Sequence, residues 1–260
     1  RLLAASGVKE LIVVAQDTSR YGTDLPGNKR LLPELLRELC KIEELKWIRV
    51  HYVYPDEIDD DFIEVMATEP KIVKYLDIPI QHCNSRILKL MNRRGNGKFL
   101  RHLFAKLRAR IPGLVIRTSL ITGLPGEGEE EFQELCDFLR ELRLERVGAF
   151  AFSPEEGTPA AEMEFVDNET ALKRAETIEM IQSAIMDDWC NSMIGKNMEI
   201  LVDGFDEEVE QFYGRSYADS PDIDGRVWIA TDEPIREGQF VTVTIDGCVD
   251  GDLSGYITEE

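Results

Sequence analysis

The sequence predicts an α/β protein in two parts: an open, partial parallel β/α barrel over residues 1–191, then a small antiparallel five-stranded β-barrel over residues 192–260. Three observations predict it. Five apolar, β-branched runs alternate with helix-patterned segments through the first part. Polar turns marked by glycine or proline follow the runs, most clearly at residues 81–85 and 122–127. Beyond Ile194-Gly195 the pattern changes to short alternating strands punctuated by glycine and aspartate.

The chain opens on Leu2-Leu3-Ala4-Ala5, stopped by Ser6-Gly7, which reads as the last turns of a helix. On that reading the chain is an N-terminal truncation whose barrel has lost its first strand. The strand-like runs then fall at residues 11–15, 47–54, 72–80, 114–121 and 147–152. Between them, apolar residues recur at helical spacing: Leu32, Leu35, Leu36 and Leu39; Phe62, Ile63 and Met66; Leu100, Leu103, Phe104 and Leu107; Phe132, Leu135, Phe138 and Leu139. Pro33 suits a first turn, Asp59 and Asp60 can cap the helix that holds Phe62, and Glu129, Glu130 and Glu131 put negative charge at a helix N-terminus. A turn-rich passage at residues 153–159 precedes one long helix over about residues 168–190. Strands are expected beyond it at residues 198–202, 212–217, 227–230, 240–245 and 255–258, a set for which the oligonucleotide-binding barrel is the commonest pattern.

Composition narrows the function classes. The net charge is −20, and from Ser192 onward there are four Lys and Arg against 17 Asp and Glu, a local net of −13. Nucleic-acid binding depends on phosphate neutralisation, so such a domain should repel RNA and attract a basic protein. The plain alternative is a solvated acidic surface. No apolar run is long enough to span a bilayer, and the five cysteines form no Cys-x-x-Cys pair, so a reducing cytoplasm suits the chain and no metal site is expected within it. Cys40 and Cys136 fall in apolar helical stripes and read as core residues.

In a parallel barrel the C-terminal strand ends share one rim, where barrel enzymes keep their chemistry. That rim should collect Gln16, Asp17 and Thr18; Tyr52 and Tyr54; Gln81 and His82; Thr122 and Gly123; Ser153 and Glu155. Few of these are acids or bases, which points to a binding surface for a polar organic cofactor; no catalytic residue can be assigned. His82 reads as a turn residue, and Cys83 lacks a paired base. Arg117 lies inside a strand, sharing a face with Ser119, while Ile116, Thr118 and Leu120 share the other. A buried guanidinium there requires an acidic partner or a ligand carboxylate, and ligand contact is the reading slightly preferred.

Taken jointly, three motifs resemble the methylthiotransferase branch of the radical S-adenosylmethionine (SAM) enzymes: Ile78-Pro79-Ile80-Gln81-His82-Cys83-Asn84-Ser85 with Met91-Asn92-Arg93; Ile121-Thr122-Gly123-Leu124-Pro125-Gly126-Glu127; and Ser153-Pro154-Glu155-Glu156-Gly157-Thr158-Pro159-Ala160. The closing barrel is similar to the TRAM domain of that family. Gln16-Asp17-Thr18-Ser19-Arg20-Tyr21-Gly22, the Arg117-Thr118 strand and Gly214-Arg215-Ser216-Tyr217-Ala218-Asp219 are most similar to the members that modify a ribosomal protein.

The resemblance implies methylthiolation of the β-carbon of an aspartate on a basic small-subunit ribosomal protein, the twelfth in the usual count. It implies SAM, two 4Fe-4S clusters in the full-length protein and an electron-donor protein. Gln16, Asp17, Gln81, Arg117, Thr118 and Gly123 are the residues it suggests for SAM. The family's Cys-x-x-x-Cys-x-x-Cys loop is not present, so the cluster ligands would precede Arg1 and this chain alone would be an inactive fragment. The alternatives are a tRNA methylthiotransferase, which would carry a more basic final domain, and a protein-binding scaffold without catalysis.

Overall fold

The computed structural model describes residues 1–258. After a short helix α1 (Leu2–Ala5), five strands form one sheet: β1 (Glu10–Val13), β2 (Trp47–Val50), β3 (Ile72–Asp77), β4 (Val115–Thr122) and β5 (Arg146–Ala151). Their spatial order follows the chain and every pairing is parallel. Helices α2 (Leu32–Cys40), α3 (Asp60–Thr68), α4 (Ser85–Leu90), α5 (Gly97–Arg110) and α6 (Glu129–Leu142) fill the crossovers. The expected alternation is therefore present.

Local chemistry explains the helix starts. Asp59 accepts a hydrogen bond from the Phe62 amide at 2.9 Å, and Asn96 does the same for Phe99 at 2.9 Å, each satisfying an orphan donor of the first turn. Asp60 is the first residue of α3 and pairs with Lys106 of α5 at 2.9 Å. The buried faces of these helices meet Ile48, Val50, Leu76, Ile116 and Leu120 of the sheet in one apolar core.

β2 stops at Val50, short of the expected residue 54, because Tyr52 takes the left-handed conformation (φ +55°). The flanking amides remain tied to the sheet, His51 to Val13 O and Val53 to Asp77 O, both at 3.0 Å.

The long helix α7 (Asn168–Met193) packs on β5 and α6 and leads into a closed barrel of β6 (Asn197–Asp206), β7 (Gln211–Arg215), β8 (Val227–Ala230), β9 (Phe240–Val249) and β10 (Asp252–Ile257). β6 and β9 run longer than expected: pairing continues past Gly204 and Gly247, at register shifts that local composition does not reveal. Four of the five pairings are antiparallel and the β8–β10 pair is parallel. A closed ring with an odd number of strands cannot alternate direction all the way round, so one parallel pair is required.

The two parts meet on the sheet face opposite Ile48, Leu76 and Ile116. Trp47, Val73, Tyr75 and Val115 pack against Leu201 and Ala218 of the second part. Above this apolar patch lies a buried ionic layer. Arg49 donates to Glu10 and to Tyr217 O, both at 2.8 Å; Arg146 donates to Asp219 at 2.9 Å; Arg215 donates to Asp203 at 2.7 Å; and the Tyr75 hydroxyl donates to Asp224 at 2.6 Å. Arg117 belongs here too, 3.1 Å from Asp77 and 3.9 Å from Asp224. The preference for ligand contact at Arg117 gives way to an ion pair, because the acidic groups such a site requires come from β3 and from the second part.

His51 is buried in the same layer, its Nε2 3.2 Å from Ser220 Oγ. Burial lowers its pKa, opposed by Asp77 and Glu10 and reinforced by Arg49 and Arg117. The neutral ring's contribution is thus complete above the unfolded value of about 6.5 and is lost as pH falls below it toward the depressed folded value. Urea midpoints measured from pH 7.5 to 5 should fall less steeply for His51→Gln than for the parent. Equal slopes would show that His51 contributes nothing to the acid sensitivity.

Candidate functional site

Because all five strands of the first sheet are parallel, their C-terminal ends lie on one edge. Over the β1 to β3 side of that edge opens a cleft of about 500 Å3, lined among others by Gln16, Asp17, Arg20, Tyr54, Ile80 and Arg93. Two of these, Asp17 and Arg93, are fixed by identifiable local devices. Asp17 caps a short 3-10 turn (Thr18–Arg20) by accepting from the Ser19 amide at 3.1 Å. Thr18 pins that turn to the exit of β2, its hydroxyl donating to His51 O at 2.7 Å and its amide to Tyr52 O at 3.1 Å. The Arg93 guanidinium donates to Pro79 O at 2.7 Å and lies 5.1 Å from the centre of the Tyr54 ring.

The cleft holds both signs of charge, Arg20, Arg93 and Arg94 against Asp17, Asp56 and Glu57, with an apolar wall of Ile80, Leu88 and Leu100. Its size and mixture suit a small ligand with a zwitterionic end and a flat, less polar end. Among the described residues, no paired acid and base and no activated nucleophile faces it.

Of the residues suggested for SAM, Gln16 and Asp17 line the cleft, and Gln81 directly follows Ile80 of its wall. Gln81 is held at φ +68°, its amide donating to Ser119 O and its carbonyl accepting from Ile121 N, both at 2.9 Å. The other three lie elsewhere. Arg117 is in the ionic layer described above. Thr118 is fully buried on the opposite face of β4, its hydroxyl donating to Ile78 O at 2.8 Å and accepting from Ile80 N at 3.1 Å. Gly123 donates its amide to Glu127 at 2.9 Å and lies against α7. Tyr54 was legible as a rim residue, whereas Arg20 and Arg93 were not assigned. Both stood within the motifs that carry the resemblance, but nothing in those motifs singled them out as lining a cleft.

A second cluster braces the rim beside the cleft. His82 is buried, its Nδ1 accepts from the Asn84 amide at 2.9 Å, and its Nε2 stands 3.4 Å from Glu127. Glu127 also accepts from Arg174 of α7 at 2.8 Å. Asn84 in turn caps α4 through the Arg86 and Ile87 amides. His82 is therefore a turn residue, as its position suggested. Burial raises the pKa of the Cys83 thiol, which removes it as a nucleophile.

These residues do not fit an iron-sulfur cluster. Such a cluster needs several cysteine thiolates converging. Among the described residues no three His, Cys, Asp or Glu are grouped to hold a metal ion, and Cys83, Cys136 and Cys190 are buried in packed surroundings. The same residues do fit SAM, whose amino-carboxylate end matches the doubly charged part of the cleft.

Sequence comparison agrees with this architecture. The profile of the radical SAM superfamily matches residues 2–139, and that of the TRAM domain matches residues 194–257. The chain belongs to the radical SAM superfamily and carries a TRAM domain. Within that class it is similar to methylthiotransferases. It is 48% identical over 254 residues to ribosomal protein uS12 methylthiotransferase RimO of Caldanaerobacter subterraneus subsp. tengcongensis, covering 97% of this chain and 57% of that protein. It is 45% identical over 259 residues to the RimO of Acetivibrio thermocellus, covering 99% of this chain and 57% of that one. The chain thus spans about half the length of the curated relatives it matches. Among solved structures, coproporphyrinogen III oxidase (HemN) from Escherichia coli overlaps 59% of this chain and 37% of its own, at 20% identity and a TM-score of 0.49.

The braced rim can be tested at Gly123. It has φ +75°, and a Cβ there would meet the Ala171 Cβ at 2.5 Å, whereas Gly157, at φ +80°, has nothing within 4 Å. Gly157→Ala should cost only the left-handed strain of about 1–2 kcal/mol. Gly123→Ala should cost clearly more, read as the difference in urea midpoint. Equal losses would rule out close packing of α7 as the reason for this glycine.

Proposed function

We propose that residues 1–191 form the SAM-binding unit, and residues 192–260 the partner-binding unit, of an enzyme that methylthiolates the β-carbon of an aspartate on a basic small-subunit ribosomal protein. The observation that carries this reading is the doubly charged cleft on the C-terminal edge of a parallel sheet, in a chain so similar to proteins named RimO. The acidity of the second domain favours a basic protein partner over RNA, and so favours this reading over a tRNA methylthiotransferase. A ribosomal target puts the reaction in the cytoplasm. No helix among the described residues is long and apolar enough to cross a membrane.

Gln16 and Asp17 would hold the hydroxyl and ammonium groups of SAM, Arg93 and Arg20 its carboxylate, and Ile80, Leu88 and Leu100 its adenine. Bound SAM supplies a sulfonium from which a methyl group or an adenosyl radical can be drawn. Gln81, Thr118 and Gly123 act by shaping the rim, and Arg117 by holding the floor beneath it. The chain's own residues thus bind and orient; none of them moves a proton in this scheme. The iron-sulfur clusters of the whole protein would draw their ligands from outside this chain, and their electrons from a separate donor protein. On that account the chain by itself turns nothing over.

Titration calorimetry of SAM into the chain should show one site. Arg93→Ala removes a charge-assisted hydrogen bond, worth about 1.5–3 kcal/mol, and should weaken binding about tenfold or more. Unchanged affinity would place SAM elsewhere.

A second measurement concerns the partner. Binding of the chain to a basic ribosomal protein should weaken steeply between 50 and 300 mM salt, while tRNA should show no salt-sensitive binding. Salt-dependent tRNA capture would favour the tRNA-modifying alternative.

A further inference from the structure

Residues 78–126 carry ten Lys and Arg and no Asp or Glu, although the whole chain has a net charge of −20. A face kept polar only for solubility mixes the two signs. Seven of the ten cations reach carboxylates elsewhere in the chain within 4.0 Å, as Arg86 does Glu131, Arg101 does Glu141 and Arg108 does Glu145. Among the described residues the other three, Lys89, Arg93 and Lys98, reach none, and they fall in one stretch of chain. Arg94, in the same stretch, meets Asp56 only at 4.0 Å and its side chain is 80% exposed.

The backbone of this stretch is fixed. Lys89 lies in the last turn of α4 and Lys98 in the first turn of α5. Between them the Arg93 amide donates to Leu88 O at 2.8 Å, the Asn92 amide donates to Lys89 O at 3.1 Å, and Asn96 caps α5. Gly95, at φ +94°, turns the chain where a Cβ would meet the Phe99 ring at 2.8 Å. Four cations are therefore presented on an ordered loop, so little backbone ordering opposes a partner. Leu90, 42% exposed, adds an apolar spot, and Arg93 and Arg94 line the cleft.

We propose that residues 89–98 form the docking surface for a small acidic electron carrier. This rests on the reading that the whole protein takes its electrons from a separate donor protein. Electron-transfer encounters bury less than about 1,200 Å2 in total, an extent that suits one loop with its flanking turns. At physiological salt, exposed charges act over about 8 Å, so a compact partner senses the patch and little of the acidic remainder. An extended polyanion such as RNA would run past the patch onto acidic surface and lose there what it gains.

The test measures association of two acidic carriers, an FMN-containing flavodoxin and a 2Fe-2S ferredoxin, with the immobilised full chain. At least one should bind, with an association rate that falls about tenfold or more between 50 and 300 mM salt. Lys89→Glu combined with Lys98→Glu should slow association about tenfold at 50 mM salt and leave SAM affinity and the urea midpoint unchanged, since both side chains are exposed and outside the cleft. Lys196→Glu combined with Arg236→Glu changes net charge equally at exposed positions of the second part and should leave association as it is. Equal slowing by the two double variants, or binding of neither carrier to the parent, overturns the proposal. RNA captured by the parent and released by the Lys89→Glu, Lys98→Glu variant also overturns it and gives the patch to RNA. Carrier binding lost while SAM and the basic ribosomal protein still bind strikes this surface alone; carrier binding kept while those two fail strikes the wider functional reading.

Discussion

The structure depends on a layer of buried charge between its two parts. Arg49, Arg117, Arg146 and Arg215 meet Glu10, Asp77, Asp203, Asp219 and Asp224 in a space from which water is largely excluded. Burying an ion costs several kcal/mol, recovered only when geometry and hydrogen bonds are complete, and leaving one partner unpaired costs about 3–5 kcal/mol. The sheet supplies most of the cations and the second part most of the anions. The sheet side thus carries an excess of positive charge and the second part an excess of negative charge, and their pairing fixes how the two sit together.

That layer also defines where a ligand can go. An open barrel of five strands presents a whole face of its sheet, but here the second part occupies the lower portion of it, around Tyr75, Arg117 and Arg146. What remains accessible is the C-terminal edge, where Gln16, Asp17, Tyr54 and Arg93 surround the cleft. The cleft is in turn backed by the His82, Glu127 and Arg174 cluster, which ties the ends of β3 and β4 to α7. Floor and brace use buried charged groups on rigid elements, and the residues lining the cleft sit on the short turns between them.

The acidity of the second domain divides along the same line. Asp219 and Asp224 are buried counter-charges, and Tyr75, whose hydroxyl pKa is raised by burial and by Asp224 beside it, remains a hydrogen-bond donor to that carboxylate. Glu207, Glu208, Asp232 and Glu233 are exposed and form the part of the negative field a partner would sense. A net charge read from composition cannot separate the two groups, although they have different roles.

Much was legible along the chain because it follows from short-range rules. Period-two alternation separated Arg117 from Thr118, helical spacing located the buried faces of α5 and α6, and Asp59 announced its own cap. The shared edge on which the cleft opens followed from parallel connectivity, since turns such as those after Val13 and Asp77 must then gather on one side. The identity of the groups that meet across long stretches of chain was decided only by tertiary structure. Nothing near Arg117 in sequence shows that Asp224 will answer its charge, that Ala171 will leave no room beside Gly123, or that Arg93 will lie over Tyr54. Local patterns determine which face a side chain takes, because backbone geometry repeats every few residues. What occupies the space in front of that face depends on how distant elements pack, and the desolvation of charge makes that choice selective.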